Sequence, residues 1–505
     1  MSDRADVIVC GAGTAGAVVA ARLVEAGASV LLLEAGPDHG GPDSGRWPAD
    51  LLDASGISGT HDWGYAGPGG GGQELTFGRA RVIGGCSSHN GCAQTCGWAG
   101  DYDALAHELG APEWSAEAVR PLFGRVAERL HIRSYEEDEI QPFQRAFLTA
   151  AERAGNPRID DLGELDGGAG CGAEPVNIVD GVRWNTAFGY LEPLRGLPEL
   201  GIRPDTMVDR VLLDGDRAVG VRAVADGQLV EFQADEVVVS GGAYGSPEIL
   251  LRSGIGPADE LRALGIQPAH DLPGVGRNLH DQPAAHLEYA ATPGLVDELA
   301  AFAREHWMPA EQAIAKLSAS HTDGPYDLHV YPWVEPDEEG EADTGWRCVF
   351  AVGLLRPRSR GALRLASPDP GDRPRIDHAF LSDPDGSDLE ALVHGVEWMC
   401  GVVTDPGMAA GLGQPLVAPD AQDEPAAIRE WVRRTHRHYW HPAGGCRLGR
   451  ADDPGAVVGP DGRVHGVRGL RVADASVLPM ITRSTPAWPV AVIGERIGAS
   501  LTAGR

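Results

Sequence analysis

The apolar positions open with a compact series at the amino end. Val7, Ile8 and Val9 form an unbroken apolar run, the pattern of a parallel strand buried on both faces. Gly11, Gly13 and Gly16 follow as G-x-G-x-x-G. Ala17, Ala20, Ala21 and Leu23 then predict a helix with a small-residue face, and Leu31, Leu32 and Leu33 a second buried strand ending in Glu34. Further on, residues 210–240 alternate apolar and polar positions around Asp-Gly pairs, predicting antiparallel strands that return to the parallel sheet. Gly241 and Gly242 follow, then a helix opened by Ser246 and Pro247. Residues 349–369 read as two paired strands around an R-S-R-G turn, and the acidic stretch 335–345 as a solvated loop.

The first unit carries chemistry. Glu34 lies 23 positions after Gly11, near the spacing of an acid that accepts a ribose hydroxyl. The glycines let a pyrophosphate reach the helix N-terminus, where unpaired N–H groups and the dipole favour an anion. The turn alone leaves FAD and NAD open; a nucleotide sheet interrupted by an antiparallel meander is typical of FAD-binding folds.

Composition narrows the partners. At 505 residues the chain is too long for one ordinary core, so two domains or one large interleaved body are expected. Hydrophobic and charged shares of 43% and 23% are globular values. A net charge of −31 argues against nucleic acid and anionic membrane surfaces, and favours a neutral or cationic small substrate. The eight cysteines follow no paired framework and read as reduced thiols. Cys86, Cys92 and Cys96 lack a second ligand pair at metal spacing, so no metal is expected. A strand beginning at Val7 leaves no room for a secretory signal, and no apolar run reaches about 18 residues, so a cytoplasmic location is expected.

Several blocks together resemble the glucose–methanol–choline (GMC) oxidoreductases: RARVIGGCSSHNG, GGAYGSPEILLRSGIGP, PGVGRNLHDQP, HPAGGCRLG, and GLRVADASVLP followed by VAVIGERIG. The likeness runs nearly end to end, and the SSHN block is most similar to the choline oxidase branch. It implies an α/β fold with a Rossmann-like FAD-binding domain and an interleaved α+β substrate domain, an antiparallel sheet covered by helices. The expected division is 1–158, 205–285 and 440–505 for FAD, and 159–204 and 286–439 for substrate.

The resemblance also implies site residues. FAD would be held by Gly11, Gly13, Gly16, Glu34, Gly84, Gly85, Ser88, His89, Asn90, Val208, Asp474, Ala475 and Pro486. His89 stands where the choline oxidase branch bonds its flavin covalently. An alcohol would lose hydride to flavin N5 while a base takes its hydroxyl proton, and the H-P-x-G block points to His441; His436 and His438 read as surface or packing residues. The family's second catalytic position, histidine or asparagine, falls at Thr485, which either orients substrate or fills space. The branch's choline-reading glutamate falls near Ala284, its serine at Gly91 and a pocket histidine at Tyr331 or His329, which argues against choline. Tyr331, Tyr439 and Trp440 would line a substrate site, with Trp63 and Trp333 as further candidates. Expected partners are a small alcohol, O2 or another electron acceptor, and a second copy in a homodimer. A lyase or decarboxylase on the same scaffold, or a flavin protein without catalysis, are the alternatives.

Overall fold

The structure, a computed structural model, describes residues 4–319, 323–420 and 423–503. Strand β1 (Arg4–Cys10), helix α1 (Thr14–Glu25) and strand β2 (Val30–Leu33) form the opening unit that the apolar pattern predicts. β1 lies between β2 and residues 233–239, parallel to both. The strand Gln228–Val239 serves twice. Its first part pairs antiparallel with Arg217–Ala225, completing the meander with Thr206–Asp214, and its second part joins β1. Leu470–Val472 adds a parallel partner to residues 237–239, so the last part of the chain closes the same sheet. The helix Ala487–Thr502 packs on α1, where a side chain at Gly494 would press within 2.8 Å of the Ala15 carbonyl.

The second body is a seven-stranded antiparallel sheet. Its order runs from Leu412–Val417 through Pro283–Ala291, Trp346–Leu354, Leu328–Pro336 and Ala313–Leu317 to Gly170–Ala173, and Arg437–His438 pairs beside Pro283–Ala284. A separate apolar cluster fills the space between this sheet and helices such as Ser387–Val403.

Two boundaries differ from the expected division. Leu200–Arg203, assigned to the substrate part, pairs in parallel with β2, because its backbone completes the edge of the nucleotide sheet. Pro283–Ala285, assigned to the FAD part, already belongs to the second sheet. The expected hairpin over 349–369 also does not form. Trp346–Leu354 stays in the large sheet, whereas Gly361–Arg364 pairs with Arg277–Leu279 and Arg375–Asp377. The physical reason is Asp388: its carboxylate accepts from the backbone N–H groups of Arg358 and Ser359 at 2.8 and 2.9 Å and from the Ser359 hydroxyl at 2.6 Å. These bonds hold the R-S-R-G segment away from a tight turn.

A buried ionic cluster secures the segment before the last helix. Arg483, fully buried, pairs with Asp101 and Asp323, and Arg356 joins Asp101 at 2.7 Å. Asp101→Ala would leave two guanidinium groups short of their buried partner. Removing one member of such a pair costs about 3 kcal/mol or more, so the variant should melt at lower temperature when unfolding is followed by tryptophan fluorescence. Unchanged melting would mean that Asp323 alone neutralises Arg483. Among the described residues, no helix is long and apolar enough to cross a membrane.

Candidate active site

A cavity of about 630 Å³ lies between the two bodies. One part of its lining comes from the opening unit: Gly11, Gly13, Thr14, Glu34 and Ala35. Gly11 has φ +105°, and a Cβ there would overlap the Ser240 carbonyl. Gly13 caps α1 without any side-chain hydrogen bond, so the first-turn N–H groups stay free for an anion. The loop at 84–90 presses on this turn, and a Cβ at Gly85 would stand 2.7 Å from the Gly13 Cα. Glu34 accepts from the backbone N–H of Ala12 at 2.9 Å and of Gly36 at 2.8 Å. Burial pushes its carboxyl up to about 7, against those hydrogen bonds. Asp474 accepts from Gly242 N–H at 2.8 Å and from the Ser246 hydroxyl at 2.5 Å, tying the second glycine turn to the cavity wall. A Cβ at Gly242 or Gly245 would meet nothing within 4 Å. An uncapped helix start, an acid at the end of β2 and glycine walls open to the cavity fit a dinucleotide such as FAD.

His441 lines the same cavity. Its Nδ1 lies 2.6 Å from Gln282 Oε1, and the Gln282 amide nitrogen donates to the carbonyls of Leu355 and Ser484. The amide oxygen can only accept, so Nδ1 carries the proton and Nε2 keeps its lone pair. His441 N–H also donates to Asp281 at 2.9 Å. Burial, reinforced by Arg79 and His438, pushes the imidazole down to about 3, leaving it neutral at ordinary pH. The preceding Trp440 has φ +61°, a strained conformation for a bulky residue. Arg79 holds the Trp440 carbonyl at 2.9 Å, and His438 Nδ1 accepts its N–H at 3.1 Å. The strained residue aims His441 inward.

Thr485 also lines the cavity, yet its hydroxyl is engaged. It lies 3.1 Å from both the Ala93 carbonyl and the Thr95 hydroxyl and accepts from Thr95 N–H at 3.0 Å. Its single proton therefore has protein acceptors, which suits a packing role. Pro486 and Ala487 start the last helix at the same wall.

Of the other expected cofactor residues, His89, Asn90, Val208 and Ala475 line the cavity. Gly16, Gly84 and Ser88 are not part of its lining, and Ser88 donates to the Ile83 carbonyl at 2.8 Å. Tyr331, Tyr439, Trp440, Trp63 and Trp333 line the cavity, while His329 is buried outside it. His436 and His438 are buried, and His438 Nε2 donates to the Thr76 carbonyl at 2.9 Å. Sequence reading missed Gln282, Arg79, Cys86 and Glu311. Burial opposes ionisation of the Cys86 thiol, but Arg79 and His89 outweigh it and draw the thiol down to about 6. Gln282 sits in the quoted PGVGRNLHDQP block, one residue after Asp281, and that was the available signal.

Comparison with known proteins gives a consistent result. Two family models, both described as GMC oxidoreductase, match residues 5–284 and 357–494. Choline oxidase of Arthrobacter globiformis is 32% identical over 544 aligned positions, covering 100% of this chain and 96% of that protein. The mitochondrial choline dehydrogenase of Mus musculus is 32% identical, covering 98% and 89%. Among solved structures, pyridoxine 4-oxidase from Mesorbium loti superposes with a TM-score of 0.84 at 27% identity, covering 98% of each chain.

Proposed function

Because the chain belongs to the GMC oxidoreductase family, FAD-dependent oxidoreductases acting on CH–OH groups, we propose that His441 takes the hydroxyl proton of its alcohol substrate. The observation that carries this reading is the 2.6 Å bond from His441 Nδ1 to Gln282, which leaves Nε2 as an acceptor at the cavity wall. Bound FAD supplies the acceptor for the two electrons that leave the alcohol carbon. His441 Nε2 accepts the hydroxyl proton as the electrons leave the carbon, and Gln282 fixes the ring that receives it. Tyr439 packs edge-on against the imidazole with centroids 5.0 Å apart, which limits water around the base. With its proton engaged by Ala93 and Thr95, Thr485 packs the wall, and His441 works without a second ionisable partner there.

The substrate is a small or medium primary or secondary alcohol other than choline. Ala284, Gly91 and Tyr331 stand where the choline-reading residues of the resembling branch would fall, and an alanine at 284 carries no charge. O2 is the electron acceptor in this reading. Anaerobic addition of a suitable alcohol should bleach the flavin and yield the aldehyde or ketone, and admitting air should restore the colour with hydrogen peroxide. A flavin that no alcohol in a broad panel bleaches, or a product with a broken carbon–carbon bond, would remove alcohol oxidation.

His89 is 7% exposed and borders the cavity in the loop pressed against Gly13. We place the covalent link to FAD at its imidazole. Acid precipitation should leave the yellow colour in the pellet, and His89→Ala should release it to the supernatant. Free colour from the unaltered protein would rule the link out.

A further inference from the structure

Beyond the base, the cavity reaches a group of polar atoms that the proposed proton transfer does not use. Glu311 lines it, with Tyr331, Trp333 and Tyr439. The backbone of Glu311 bridges to Trp333, and a Cβ at Gly91 would stand 3.0 Å from Glu311 Oε2. The glycine at 91 thus leaves room for this carboxylate. Glu174, joined through its N–H to the Gln312 carbonyl at 3.0 Å, is fully buried with neither carboxylate oxygen hydrogen-bonded. The Tyr331 and Tyr439 hydroxyls, on residues 5% and 3% exposed, also have no partner. Among the described residues neither glutamate is in an ion pair. The charges acting on them are carboxylates, Glu311 on Glu174 and Glu335 on Glu311, while Glu335 has its own partner Arg347 at 2.8 Å.

Burying carboxylates together without a cation is costly, and buried hydroxyls without partners add to the cost. Glu174 is not in the cavity lining and the two hydroxyl oxygens are closed off from it, so a ligand meets Glu311 and the ring faces, and one that offsets the acidic surroundings brings positive charge and an N–H donor to Glu311. We propose that Glu311, with Tyr331, Tyr439 and Trp333 around it, seats a cationic nitrogen bearing at least one N–H, so that the substrate is an amino alcohol. This deepens the reading of the site as an alcohol-oxidising centre and rests on it. The ring series carries the geometry: Tyr331 and Tyr439 centroids are 5.9 Å apart, and Tyr439 meets His441 at 5.0 Å. Nitrogen at Glu311 directs the hydroxyl carbon toward the base. A quaternary ammonium carries charge but no N–H, and it would leave the Glu311 carboxylate without a donor. The seat therefore selects against the trimethylated class.

Calorimetric titration of the oxidised holoenzyme with ligands that lack a hydroxyl tests this without turnover. The probes are primary n-alkylammonium ions from propyl to hexyl, their N,N,N-trimethyl counterparts, and neutral methyl ethers of matched length. At least one alkylammonium should bind tenfold or more tightly than both its ether and its trimethyl counterpart. Glu311→Gln should bring the ammonium-to-ether ratio below tenfold. The proposal falls if every alkylammonium lies within tenfold of its ether, if the trimethyl ions bind equally well, or if the ratio survives in Glu311→Gln. Should that variant not fold, the unaltered enzyme's three-way comparison decides alone. Failure of every alcohol to bleach the flavin would strike the oxidation reading, whereas these titrations read the seat by itself.

Discussion

His441→Ala should slow anaerobic flavin reduction by about 100- to 10,000-fold, the span of a positioned general base. Gln282 is held by the Leu355 and Ser484 carbonyls, so its oxygen faces His441 Nδ1 and the lone pair is left on Nε2. Alanine removes that acceptor and leaves the cofactor walls untouched, so the yellow colour should persist while stopped-flow bleaching slows. A variant that keeps most of its reduction rate would take the base role from His441. The pH profile gives an independent check. With the imidazole held down to about 3, chiefly by burial, it remains neutral across pH 5–9, and the reduction rate should show no acid limb near the ordinary histidine value of about 6.5. The unfolded chain binds the proton first, so this group's contribution is full above about pH 6.5 and is lost as pH falls toward 3.

Gly13→Ala should cost the protein most of its flavin. A Cβ at 13 would find the Gly85 Cα at 3.7 Å, an ordinary contact, so the polypeptide can accept the methyl group. The methyl group intrudes instead on the cavity at the start of α1, where a pyrophosphate approaches the free N–H groups. Overpacking a close contact costs about 1–3 kcal/mol, which weakens cofactor retention about 5- to 150-fold. The comparison belongs on a His89→Ala background, so that no bond at position 89 can retain the flavin. The readout is the flavin-to-protein absorbance ratio after dialysis. Equal ratios with and without Gly13→Ala would move the cofactor away from this turn.

Much of the architecture could be read from local pattern. β1, the glycine turn, α1 and β2 are contiguous, and their spacing alone places Glu34 beside the Ala12 N–H. His89 and His441 stand in blocks whose order along the chain is distinctive. What stayed hidden depends on distant pairing. Leu200–Arg203 shows no strong apolar run, and it becomes a strand only because β2 offers an open edge. Thr485 reads as a possible donor until Ala93 and Thr95, some 390 positions earlier, take its hydroxyl. Glu311 is one of many glutamates in an acidic chain. Only the bridge to Trp333 and the bare backbone at Gly91 turn its carboxylate into the cavity.

Gln282 has a consequence for biosynthesis. Its carboxamide joins residues 73, 159 and 202 positions away, drawn from both bodies and from the segment before the last helix. Such remote pairings close late as a polypeptide collapses. The imidazole is therefore aligned only once synthesis is complete and both halves have docked. A half-assembled molecule therefore lacks the fixed ring on which the proposed proton transfer depends.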